Sequence, residues 1–206
     1  MKIEPDDLLL IIDVQNDFCP GGALAVTDGD AVVPVINRLA VRFDHVVLTQ
    51  DWHPARHSSF ASSHPGAAPF SSITMPYGPQ TLWPDHCIQG TAGAAFHSGL
   101  ATDRAELVIR KGFRSAIDSY SAFFENDRTT PTGLAGYLRE RGLRRVLMTG
   151  LATDFCVQYS ALDARRLGFE TVVVLPGCRA IDLGGSLAAA IAAMREAGVK
   201  LVEEIV

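Results

Sequence analysis

The chain has no run of about 18 apolar residues, the length a membrane-crossing helix needs, although hydrophobic residues fill 48% of its 206 positions. It also lacks the basic start and small-residue cleavage site of a signal peptide. The opening MKIEPDDLLLIID sets acids ahead of a short apolar run, so the expected compartment is the cytoplasm. Excess positive charge is missing too: a net charge of -5 argues against broad affinity for nucleic acid or anionic lipid. The nearest basic cluster, Arg139, Arg141, Arg144 and Arg145, closes an expected helix, where cations suit the dipole. Cysteine is sparse. Cys19, Cys87, Cys156 and Cys178 form no CxxC pair, which excludes a disulfide framework and leaves free thiols to be explained one by one.

What is present is an alternation of short apolar runs with amphipathic stretches. Strands are expected at Leu8 to Asp13, His45 to Asp51, Glu106 to Lys111, Arg144 to Gly150, Thr171 to Pro176 and Val199 to Val202. Helices are expected from about Asp30 to Phe43, Leu134 to Arg141, about Asp154 to Leu167, and Ser186 to Ala197, the last two closed by Gly168 and Gly198. The strands are apolar almost throughout rather than alternating, the pattern of a strand covered on both faces. The expected fold is therefore α/β: a three-layer α/β/α arrangement around a six-stranded, mainly parallel sheet. No repeat, linker or second domain is visible. Residues 1–206 read as one domain with a long insertion at about 52–105, rich in Pro, Gly and Ser and carrying both tryptophans and five of the six histidines. An insertion of that length is functional or disordered, and the histidines favour function.

Open parallel sheets build their sites at the carboxyl ends of the strands. Asp13, Asp51 and Lys111 end the first three expected strands, and Cys156 follows the fourth after a short loop. Each alone is also what a solvated strand boundary looks like; their coincidence on one edge is the signal. Cys156 is expected in the first turn of a helix capped by Thr153, where the dipole favours a thiolate, although a free cysteine is as commonly a small buried apolar residue. A lysine would stabilise that thiolate and a carboxylate would shuttle its proton; a simple Asp13–Lys111 salt bridge is the competing account. Cys19, in the turn FCPGG, is expected to be structural.

Asp51 and His53, two apart in QDWHP, face one way on an extended segment. His86 in LWPDHC supplies a third ligand from the insertion, and Ser59 is a further candidate. One carboxylate and two imidazoles suit a divalent ion with open positions: zinc first, with iron or manganese as alternatives.

With these residues in view, the chain resembles the nicotinamidases (pyrazinamidases) of the isochorismatase-like cysteine hydrolases. The matching segments are IIDVQNDFCPGGALAV, TQDWHPARHSSFA, LWPDHCIQGTAGAAFH, RKGFRSAIDSYSAF and TGLATDFCVQYSALDA. They stand in the family's order and span the chain nearly end to end; the first and third are the more specific to nicotinamidases. The resemblance implies the isochorismatase-like hydrolase fold and hydrolysis of nicotinamide, and also pyrazinamide, through a cysteine thioester in NAD salvage. It implies Cys156 as nucleophile, Asp13 as proton acceptor and donor, and Lys111 as stabiliser of charged intermediates. Asp51, His53 and His86 would hold a metal that binds the pyridine nitrogen. Phe18 and Trp83 would enclose the ring, and the N–H groups of Ala152 and Cys156 would form the oxyanion hole after a cis peptide between Leu151 and Ala152. A homo-oligomer is compatible with the family, with no interface legible. Two rivals remain: another amide or ureido substrate, disfavoured by the intact metal motifs, and a catalytically silent binding protein, disfavoured by the intact Asp13, Lys111 and Cys156.

Overall fold

The computed structural model describes residues 1–204. Its centre is strand β1 (Asp7–Ile12), in which every residue is buried. Successive side chains of a strand point to opposite faces, and β1 uses both. Leu9 and Ile11 enter one apolar cluster, while Leu8, Leu10 and Ile12 enter the other. A run of six residues with no solvated face is stable only between two layers, which is what the unbroken apolar pattern predicted.

On one side lies α1 (Val32–Ala40), entered through a 3-10 turn and burying Val32, Val33, Ile36, Leu39 and Ala40 at helical spacing. It stops short of the expected Phe43. The N–H groups of Arg42 and Phe43 donate to Leu39 and Ala40 three residues back, tight turns that bring Phe43 into the core. β2 (His45–Asp51) follows. The insertion then holds an unpredicted two-stranded hairpin, β3 (Ser72–Met75) and β4 (Gly78–Thr81), before β5 (Leu107–Lys111). The other face is covered by α2 (Leu134–Glu140), which leads to β6 (Arg145–Leu151). A π-turn (Thr153–Val157) runs into α3 (Gln158–Arg166), followed by β7 (Glu170–Arg179), α4 (Ser186–Glu196) and β8 (Lys200–Val202). Leu134 and Leu138 of α2, Ala161 and Ala164 of α3 and Met194 of α4 all enter the second cluster.

The main sheet runs β5-β2-β1-β6-β7-β8, and all its pairings are parallel. The order reverses between β1 and β6, and the crevice beyond the carboxyl ends of those two strands is where such sheets bind ligands. Gly150 makes the close approach there. It pairs with Ile12, has φ 118, and a Cβ on it would stand 2.0 Å from the Ile12 carbonyl oxygen. Strand β7 runs past the expected Pro176 because the register slips between Met148 and Gly150, so that Cys178 and Arg179 pair with Gly150 and Leu151.

Candidate active site

Strand register brings the charged residues together. In the parallel pair β2–β5, Asp51 and Lys111 are direct partners, so their side chains share a face. Asp13, the residue after β1, turns with φ 50. Its N–H donates to Thr49 Oγ1 (3.2 Å), and the Thr49 hydroxyl donates back to Asp13 Oδ1 (2.7 Å). Lys111 is 1% exposed, and its Nζ is the hub. It lies 2.8 Å from Asp13 Oδ2 and 3.0 Å from Asp51 Oδ1, and donates to the Ser119 carbonyl (2.9 Å) and to Cys156 Sγ (3.5 Å).

Cys156 sits in the π-turn, whose first flanking residue is Ala152 rather than Thr153 and has no side-chain cap. The peptide between Leu151 and Ala152 is cis. The Ala152 carbonyl accepts from the N–H groups of Phe155 and Val157, both at 3.1 Å, and passes over that of Cys156. Against the expected help of a helix start to a thiolate stands the burial of the sulfur. Burial raises Cys156 well above the ordinary thiol range; Lys111 opposes, and Asp13 and Asp51 add to the rise. That rise favours the protonated thiol, and Asp13 contributes to it.

The two carboxylates are driven apart. Complete burial raises Asp13; Lys111 opposes and Asp51 adds. Burial pushes Asp51 the same way, but His53 and Lys111 outweigh it and hold Asp51 well below the usual carboxylate range. Burial likewise disfavours charge on Lys111, yet Asp13 and Asp51 overcome it and keep the amine protonated. One carboxylate is thus a usable base and the other a fixed anion, the division of labour expected of paired acids in one site.

The far oxygen of Asp51 faces two imidazoles. Its Oδ2 is 2.9 Å from His53 Nε2 and 3.4 Å from His86 Nε2. Each ring's other nitrogen lies against a backbone carbonyl: His53 Nδ1 on Gly112 (2.9 Å) and His86 Nδ1 on Pro84 (2.8 Å). A carbonyl only accepts, so both Nδ1 atoms carry hydrogen and both Nε2 lone pairs point at a carboxylate. Lone pairs repel there unless a proton or a cation stands between, and the three ligand atoms fall within 4.8 Å of one another. This donor set fits a divalent cation. His86 reaches it because the insertion folds back on β2, with the His53 N–H donating to the Cys87 carbonyl (3.0 Å) and the Gln89 N–H to that of His53 (2.9 Å).

Ser59 lies outside this trio; its hydroxyl donates to His57 Nδ1 (2.8 Å). His57 Nε2 in turn faces the Arg114 carbonyl (2.8 Å), and His57 also stands with His53 and Asp118 in a second group whose ligand atoms lie within 4.8 Å of one another. Phe18, Trp83, Asp51, His86, Ala152 and Cys156 line one cavity of about 20 Å³. Asp118, Tyr120, Phe155 and Ile181 share that lining and were not expected from the sequence. Asp118 is 2% exposed, with Oδ1 4.0 Å from His53 Nε2. Trp83 is locked by donating to the Tyr120 hydroxyl (3.0 Å) and by edge contact with Phe155 (4.8 Å).

Fold and site together define an open, doubly wound α/β protein with a thiol, an amine, two carboxylates and two imidazoles gathered at its topological switch point. The isochorismatase domain matches residues 7–204, and the chain belongs to that family. A nicotinamidase of Acinetobacter baylyi is 52% identical over 202 residues, covering 98% of this chain and 94% of that protein. The solved nicotinamidase/pyrazinamidase of Acinetobacter baumannii is 55% identical, with a TM-score of 0.96 over 98% of this chain and 97% of its own. The pyrazinamidase of Pyrococcus horikoshii, solved in complex with zinc, is 33% identical, with a TM-score of 0.78 over 97% of this chain and 100% of its own.

Proposed function

We propose that this chain is a nicotinamidase, hydrolysing nicotinamide, and by the same chemistry pyrazinamide, to the acid and ammonia in NAD salvage. The observation that carries the reading is the meeting of Asp13, Asp51 and the Cys156 sulfur on one buried ammonium, within 3.5 Å of Lys111 Nζ. The nicotinamidase relatives supply the substrate class. The four free cysteines suit a reducing compartment, and we place the reaction in the cytoplasm.

Cys156 is the nucleophile. Asp13 accepts the thiol proton as sulfur bonds to the carboxamide carbon and the carbonyl electron pair moves onto oxygen. The N–H groups of Ala152 and Cys156 receive that oxyanion; each such donor contributes about 3 kcal/mol in comparable sites. Lys111 offsets the negative charge that has moved from carboxylate to substrate. As the carbon–nitrogen bond breaks, Asp13 returns its proton to the leaving nitrogen, which departs as ammonia. Asp13 then takes a proton from water, whose oxygen attacks the thioester; the carbon–sulfur bond breaks and the thiol regains its proton. Phe18 and Trp83 hold the faces of the ring, apolar surfaces that aromatic walls match.

Asp51, His53 and His86 would hold one divalent metal, zinc by analogy with the Pyrococcus relative, whose contribution is to bind the pyridine nitrogen and fix the ring. The test is ammonia release from nicotinamide by the purified, metal-loaded protein. Cys156→Ala is expected to lose activity by on the order of 10⁴-fold or more, the scale on which removal of a covalent nucleophile acts. Protein that leaves nicotinamide untouched overturns the reading.

A further inference from the structure

One buried carboxylate near the nucleophile has no part in this chemistry. Asp154 lies in the same π-turn as Cys156, two residues before it, and is 2% exposed. It reaches across to the segment between β7 and α4. Asp154 Oδ1 accepts from the Ile181 N–H (3.0 Å), and Oδ2 accepts from the Asp182 N–H (2.8 Å) and from the Ser186 hydroxyl. At Ile181 and Asp182 that segment is neither strand nor α-helix, while Ser186 opens α4; within it Asp182, Gly184 and Gly185 are all left-handed, at φ 53, 60 and 87. The residue whose backbone is tethered first, Ile181, lines the cavity that Cys156 and Phe155 also line.

That cavity, at about 20 Å³, has room for little more than one water, so a ring enters only by displacing a wall. The Trp83 wall is braced by its hydrogen bond to Tyr120 and by the ring edges of Phe155 and Phe70. The Ile181 wall packs on the first apolar cluster, and its backbone is held by one side-chain carboxylate. We propose that Asp154 is a positioning residue that sets the enzyme's ring selectivity: by fixing Ile181 against the cavity, it makes that wall reject pyridine carboxamides carrying additional ring substituents. The inference rests on the amidase reading above and assigns it a selectivity element.

The experiment compares kcat/KM for a set of ring-methylated nicotinamides with that for nicotinamide itself. Ile181→Ala, which opens the wall directly, is expected to raise the ratio for at least one methylated ring by about tenfold, the scale of one methyl group in a tight pocket. Asp154→Asn, close in shape but with one acceptor replaced by a donor, is expected to raise the same ratio at the same ring position. Ser186→Ala, which removes one bond of three, should shift it less in the same direction. The double variant Asp154→Asn/Ile181→Ala should gain no more than either single change, as coupled neighbours do. Equal loss on all substrates in Asp154→Asn, with the ratio unmoved, overturns the proposal, because a merely structural role lowers every rate together. An unmoved ratio in Ile181→Ala overturns it as well. Wild-type protein inert towards nicotinamide rejects the amidase reading and this inference with it, whereas an active wild type with unmoved ratios rejects this inference alone.

Discussion

Lys111 is one of three lysines in the chain and is buried where a lysine is costly unless its charge is answered. Asp13 and Asp51 answer it from two sides, and each carboxylate depends on the same ammonium. Lys111→Met keeps the bulk and removes the charge, leaving two buried anions without their partner. It should destabilise the fold by about 3–5 kcal/mol, the range for breaking a buried pair from one side, read as a lowered urea midpoint. Asp13→Asn in that background should recover part of the loss. An unmoved midpoint in Lys111→Met would contradict the two-anion arrangement. These residues were legible from the sequence because each ends, or directly follows, a strand, and strand ends are set by short-range apolar pattern. Asp118, Asp154 and Tyr120 were not. Asp118 and Tyr120 lie in stretches without periodicity, and Asp154, although at the start of an expected helix, takes its importance from partners such as Ser186, 32 positions away, that only folding brings near.

At the scale of elements, the six strands of the sheet and their parallel sense follow from unbroken apolar runs separated by helices. The misreadings fall where local pattern competes with pairing. β7 is extended by a register slip that depends on β6, and the β3–β4 hairpin is too short and too proline-rich to announce itself. The turn after β5 shows how closely element ends and site are coupled. Gly112 has φ 65; its carbonyl takes the His53 Nδ1 hydrogen, and a Cβ there would stand 2.5 Å from His53 Cε1. Gly112→Ala therefore strains the turn and pushes the ring it orients. We expect metal affinity to fall about 10–100-fold, the usual effect of disturbing a group that orients a ligand, measured by competition with a chromophoric chelator. Far-ultraviolet circular dichroism should stay that of the wild type. Unchanged affinity would show that His53 is held by something other than this carbonyl.

For the whole molecule, the site concentrates negative charge inside a chain that is already net negative at -5. Asp13 and Asp51 face one lysine, and the shortfall is made up on the His53–His86 side of Asp51. His53 is driven towards its charged form there: burial opposes, but the Asp51 carboxylate prevails. A divalent cation held by Asp51, His53 and His86 would supply that charge without requiring an imidazolium. It should therefore stabilise the native state, because the unfolded chain holds these three ligands apart. At a free metal concentration 100 times the dissociation constant the linkage is worth about 2.7 kcal/mol, which in a chain of this length corresponds to a rise in Tm of roughly 5–10 °C. The measurement is thermal unfolding of chelator-stripped protein with and without added zinc, alongside His86→Ala treated identically. The wild type should gain the full shift and the variant little of it. Equal shifts in both would place the stabilising ion elsewhere, and no shift in either would leave the Asp51–His53–His86 cluster without a metal to hold.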